Sequence, residues 1–123
     1  MATIKSYTDL EQSKKLAKIL PLESADMKWF FWKEEIDAHK TPTFGYSKTA
    51  AESYKDTEAV YLACWSLSAL IGVMPEIQGG KPVIALDDNY ITYQHMSDLY
   101  TKADNLVDAC VAMIEKLNEL NLL

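Results

Sequence analysis

The chain has 123 residues, 49% of them apolar and 24% charged, and a net charge of −6. The length suits one domain spanning 1–123 and excludes two ordinary ones, and the composition excludes a disordered chain. All twelve basic residues are lysine, so the side chain best suited to bidentate contact with phosphate and guanine is missing; nucleic acid and anionic membranes are therefore poor partners.

The charge is uneven. Residues 81–123 hold three Lys against seven acids, which serves solubility. No apolar run is long enough to span a bilayer, because Val60 to Met74 is broken by Ser66, Ser68 and Gly72. Met1 to Lys18 lacks the continuous apolar stretch of a signal peptide. A cytoplasmic protein is expected, with Cys64 and Cys110 reduced.

The first expected element is a helix over about residues 9–20. Thr8 and Glu11 form a capping-box pattern, Leu10, Leu16, Ile19 and Leu20 supply an apolar stripe, and Pro21 stops it. Met27 to Trp32 reads as a strand, since Trp29, Phe30, Phe31 and Trp32 favour a pleated surface. Residues 37–49 collect turn formers and read as an irregular connection, and Thr49 with Glu52 suits a short helical turn. Glu58 to Cys64 alternates weakly and is read as a strand. Ser66 suits the N-cap of a short helix carrying Leu67, Leu70, Ile71 and Met74, which Pro75 ends. Val83 to Leu86 and Tyr90 to Gln94 flank Asp87-Asp88-Asn89 in a β-hairpin pattern. In the last helix Asn105 is the cap, Asp108 sits where the helix dipole favours an acid, and Leu106, Cys110, Met113, Ile114, Leu117 and Leu120 form the stripe, which Val107 and Val111 widen. The expected fold is α+β, with two longer helices and one short helix on a small antiparallel sheet of three to four strands.

Three stretches carry a family resemblance. Tyr7 to Leu16 running into Ile19 to Met27, then Cys64 to Leu70, and finally Ala103 to Cys110 running to Leu123 resemble a group of short uncharacterised proteins of Bacteroides-type gut bacteria, their phages and integrated elements. The resemblance implies an origin on a mobile element, with residues 33–58 and 76–102 the most variable. It also implies Pro at the position of Leu106, which suits the first helical position and supports Asn105 as the cap. It brings no activity, cofactor or catalytic residue with it.

The residues also offer candidate chemistry of their own. A thiol nucleophile needs a base, and Cys64 or Cys110 would have to meet His39 or His95. Both thiols sit in apolar runs, where free Cys behaves as a small hydrophobe. The two histidines fit no metal-binding spacing, Asp87-Asp88-Asn89 lacks the calcium-loop pattern, Gly79-Gly80-Lys81 is too short for a phosphate loop, and the adjacent Glu34 and Glu35 point apart on a strand. No catalytic residue, metal or cofactor is expected. The one candidate binding cluster is Trp29 and Trp32 with Lys28 and Lys33 beside them. Such a face anchors a protein partner or stacks a base, whereas the simpler role of these aromatics is core. Two functions follow. The first is a non-enzymatic accessory interaction protein that binds a protein partner or itself. The alternative is a binder of a nucleotide-like signal. A Cys-dependent enzyme is a weaker third.

Overall fold

The structure, a computed structural model, describes residues 5–32, 43–44 and 59–123. Among them are three α-helices: α1 (Leu10–Leu16), α2 (Leu67–Val73) and α3 (Leu106–Glu119). Six strands accompany them: β1 (Met27–Trp32), β2 (Thr43–Phe44), β3 (Ala59–Cys64), β4 (Pro82–Ala85), β5 (Tyr90–Tyr93) and β6 (Met96–Lys102). They form two antiparallel sheets of three, ordered β2-β1-β3 and β4-β5-β6. The fold is α+β with antiparallel pairing throughout, and its strands divide between two sheets. The short β2 lies inside the stretch read as irregular, pairing Met27 with Phe44. Thr49 and Glu52 lie outside the described residues.

Asp9, not Thr8, caps α1. The Asp9 carboxylate accepts the Gln12 N–H at 2.8 Å, and the Gln12 side-chain oxygen accepts the Asp9 N–H at 3.1 Å. Thr8 is held elsewhere. It is fully buried, its N–H donates to the Trp65 carbonyl at 2.9 Å, and its hydroxyl accepts the Trp65 N–H at 3.2 Å. A tertiary contact thus claims the hydroxyl and moves the helix start one residue on, where Asp9 and Gln12 make the same reciprocal pair of hydrogen bonds with the next two donors along. Regular helix ends at Leu16. Ala17 to Ile19 form turns, in which the Ile19 and Leu20 N–H groups both reach the Leu16 carbonyl.

α2 and α3 start where their caps place them. The Ser66 hydroxyl accepts the Ala69 N–H at 3.2 Å, and the Asn105 side chain accepts the Asp108 N–H at 2.8 Å. On α3 the buried residues are Val107, Ala109, Cys110, Val111, Met113, Ile114 and Leu117, a face turned slightly from the expected stripe. Leu106 is half-buried and Leu120 is 53% exposed. Leu120 is already the C-cap. After it Asn121 takes the left-handed conformation (φ 58°), and the Leu122 N–H returns to the Leu117 carbonyl at 2.8 Å.

The main core gathers Leu16, Trp65, Leu70, Ile91, Tyr93, Met113, Ile114 and Leu117, all within 2% of complete burial. Each such side chain contributes about 1.5–3 kcal/mol by leaving water. Trp65 also finds a partner for its indole N–H, the Ser24 hydroxyl at 2.9 Å. A second, smaller cluster holds Met27, Trp29 and Cys64, with Tyr7, Leu10 and Leu62 packed against it.

Two turns shape the second sheet. Gln78 (φ 51°) and Gly79 (φ 79°) close a tight turn in which Ile77 and Gly80 exchange both backbone hydrogen bonds. A β-carbon on Gly80 would run into the Gln94 carbonyl oxygen, so this position accepts only glycine without displacing backbone. The hairpin expected at 83–94 is β4 and β5, closed by Leu86 to Asn89 with Asn89 left-handed (φ 50°). A second turn at Gln94 and His95 (φ 65°) then adds β6, a strand outside the expected set. Among the described residues, no helix is long and apolar enough to cross a membrane.

Candidate functional site

Trp29 is in the smaller core. It is 7% exposed, meets the Tyr7 ring edge-on at 5.9 Å, and donates its indole N–H to the Ser13 hydroxyl at 3.2 Å. A ring fixed this way offers no open face for stacking. Lys28 is half-buried and already engaged with a neighbour. The side chain of Trp32 and the whole of Lys33 lie outside the described residues. Trp29 is therefore brought to Tyr7 and Ser13, and takes the core role weighed for it.

Ser13 belongs to a buried polar chain. Its hydroxyl lies 2.8 Å from that of Thr8, which in turn lies 3.6 Å from Cys64 Sγ. The Cys64 thiol also donates to the Thr8 carbonyl at 3.5 Å. Burial pushes the Cys64 thiol pKa up, and hydrogen bonds with Thr8 and Ser13 only partly oppose it. Burial pushes Cys110 up to about 12. Neither thiol hydrogen-bonds a histidine among the described residues; His95 is exposed in its turn, and His39, like Glu34 and Glu35, lies outside them. Among the described residues no group of three potential ligands is placed to hold a metal.

The chief ionic feature ties the two ends of the fold together. Lys5 Nζ lies 2.7 Å from an Asp108 carboxylate oxygen and 3.1 Å from Asp9. The Gln12 amide also donates to Asp108, at 2.8 Å. Burial alone would raise the Asp108 pKa, but hydrogen bonds from Lys5, Gln12 and Asn105 outweigh it and hold the carboxyl below its ordinary value. For Lys5, burial would lower the pKa, and hydrogen bonds to Asp108 and Asp9 raise it instead. Each polar group here has a partner inside the fold, which makes the cluster a clasp.

The outer face of the second sheet is different. Along β5, Ile91 and Tyr93 point to the core, and the Tyr93 hydroxyl donates to the Pro75 carbonyl at 2.8 Å. Strand alternation therefore turns Tyr90 and Thr92 outward. Val83 and Tyr100 are the cross-strand neighbours of Thr92 on either side, 44% and 50% exposed. Tyr90 and Tyr100 stack with centroids 5.4 Å apart, and Lys116 of α3 lies 5.8 Å from the Tyr100 ring. Leu86, at the hairpin turn, is 71% exposed. A solvated face of an antiparallel sheet normally carries polar residues. This one carries two tyrosines and a valine beside Thr92 and Lys102, with a leucine at its end.

Reading the sequence alone missed this face. Tyr90 and Thr92 were visible as alternate positions of a hairpin, but Tyr100 became their neighbour only once β6 joined the sheet. The signal for β6 was weak: buried Leu99 and half-buried Thr101 alternate with exposed Asp98, Tyr100 and Lys102, and no glycine marks the turn before it.

The chain matches no protein family model, no curated protein and no solved structure.

Proposed function

We propose that the chain is a non-enzymatic interaction protein that binds a protein partner through the outer face of the second sheet, as an accessory factor of a phage or mobile element acting in the cytoplasm. One observation carries the reading: the stacked Tyr90–Tyr100 pair is flanked by exposed Val83 and ends on exposed Leu86. Tyrosine anchors interfaces because its ring buries much area at little entropic cost while the hydroxyl still hydrogen-bonds. The partner that fits is a protein surface with apolar groups at its centre and hydrogen-bonding groups at its edge. The sequence resemblance supports the mobile-element origin, and the two free cysteines support the cytoplasm. The nucleotide-binding alternative is weakened, because Trp29 has no face open for stacking.

The test is affinity capture from the native host with the tagged chain, read by mass spectrometry. Wild type recovers one reproducible protein, and the doubly substituted Val83→Ser, Tyr100→Ser chain loses it while keeping its circular-dichroism spectrum. Absence of a reproducible partner, or capture indifferent to the two substitutions, overturns the proposal.

A further inference from the structure

We infer that β6 pairs antiparallel with β6 of a second copy of this chain, about a two-fold axis at Tyr100. The inference rests on reading the second sheet as the interaction surface, and it names a partner for that sheet's open edge.

β6 ends its sheet; among the described residues its one strand neighbour is β5. The Ala103 N–H donates to the Asn89 carbonyl, and Thr101 stands opposite Ile91. In an antiparallel ladder alternate residues aim their backbone groups at the neighbour and away from it. Thr101 therefore faces β5, as does the Leu99 carbonyl, which accepts the Thr92 hydroxyl at 3.0 Å. The backbone N–H and C=O groups of Tyr100 and Lys102 are turned outward, where a further strand would bond them, and Asp98 stands exposed just before them, within the register shift that pairs Tyr93 with Met96.

The side chains select the register. An axis at Tyr100 sets Asp98 opposite Lys102 of the second copy and Lys102 opposite Asp98 of the second copy, with the two Tyr100 residues facing each other. The Tyr100 pair joins outward-turned residues and exchanges two backbone hydrogen bonds, and the Asp98–Lys102 pairs set opposite charges on either side of it. An axis at Leu99 instead sets Asp98 against Tyr100 and Lys102 against Met96, leaving every charge without its opposite. Asp98 and Lys102 are both exposed and make no salt bridge among the described residues.

Charged residues on an edge strand usually guard it against pairing. A guard of one sign repels a second copy in any register. Opposite signs four residues apart are self-complementary under a two-fold axis, which an isologous dimer requires. The edge also has room. A cleft of about 340 Å³ opens beside Met96, Asp98, Lys116 and Leu120. Lys116 must swing off the Tyr100 ring, a rotamer change of a flexible side chain. The product is one six-stranded sheet whose outer face carries a row of four tyrosines, Tyr90 and Tyr100 from each copy, and which offers the proposed partner twice the surface.

Sedimentation equilibrium of the purified full-length chain tests the pairing. Wild type forms a reversible dimer of twice the 13.9 kDa chain mass. Asp98→Lys alone, or Lys102→Asp alone, sets like charges opposite each other in both pairs and weakens the dimer by about tenfold or more. The double charge swap restores it. Tyr100→Pro removes an outward N–H at an edge position that tolerates proline, and leaves a folded monomer by circular dichroism. A wild-type monomer throughout the concentration range, or a dimer indifferent to the charge swaps, overturns the inference. The two proposals fail separately. A monomer that still captures its partner removes the pairing and leaves the interaction reading, whereas a charge-sensitive dimer that captures nothing upholds the pairing.

Discussion

On the first sheet Trp29 is closed in, with its N–H on Ser13 and its ring against Tyr7; on the second, Tyr100 lies open, with Tyr90 on one side and the Lys116 ammonium on the other. Both are large aromatic rings on antiparallel strands. What separates them is what covers each strand. The N-terminal segment and α1 lie over β1 and β3, whereas α3 packs on the inner face of β5 and β6 and reaches the outer one with its Lys116 side chain. Aromatic density along the sequence thus marks surface area needing a partner, and the topology decides whether that partner is internal.

The largest expected effect breaks the contrast at its buried end. Trp29→Ala empties the smaller core and destabilises the chain by about 3–5 kcal/mol in urea unfolding, whereas Tyr100→Ala under monomeric conditions shifts stability by about 0.5 kcal/mol or less. Equal costs would mean the two rings are not differently covered. Next is Ser13→Ala, which strips the Trp29 N–H of its acceptor and the Thr8 hydroxyl of a neighbour, at about 1–3 kcal/mol in the same measurement. Smallest is Asp108→Asn, which opens the clasp between the N-terminal segment and α3. The pair is partly solvated, so about 1 kcal/mol or less is expected. The pH dependence carries the sign. Asp108 has a folded pKa below its unfolded one, so its contribution is fully present above the unfolded value and is lost as pH falls through the folded one. Wild type and Asp108→Asn therefore converge in stability on acidification below about pH 4. A gap that persists there means the carboxylate charge is not what holds the clasp.

Much of the fold was legible from short-range chemistry. β1 occupies Met27–Trp32 because four consecutive aromatics have few other places to go. Ser66 and Asn105 cap as expected because each is followed, three residues on, by an N–H that its side chain reaches. The hairpin at β4 and β5 followed from its polar turn. Most of the misreadings trace to partners distant in sequence. Thr8 fitted a capping box, and Trp65 took its hydroxyl. Leu120 fitted the α3 stripe, yet it lies beyond the last buried turn. β6 has few apolar residues and is held by pairing with β5. The division into two sheets, and with it the tyrosine face, depends on that pairing and is not written in any local pattern.

The clasp has a consequence for how the chain is made. Lys5 is bonded to a residue 103 positions later, and Thr8 to one 57 positions later. Synthesis runs from Lys5 towards Asp108, so the N-terminal segment emerges long before its ionic anchor does. Closing so long a loop costs entropy before the Lys5–Asp108 pair repays it, so the N-terminal segment rests first on Trp65 and β3 and gains the clasp when α3 arrives. A chain released before Asp108 would lack α3 as well as the clasp, and the uncovered inner face of β5 and β6, rather than the tyrosine face, is where a truncated product would meet chaperones.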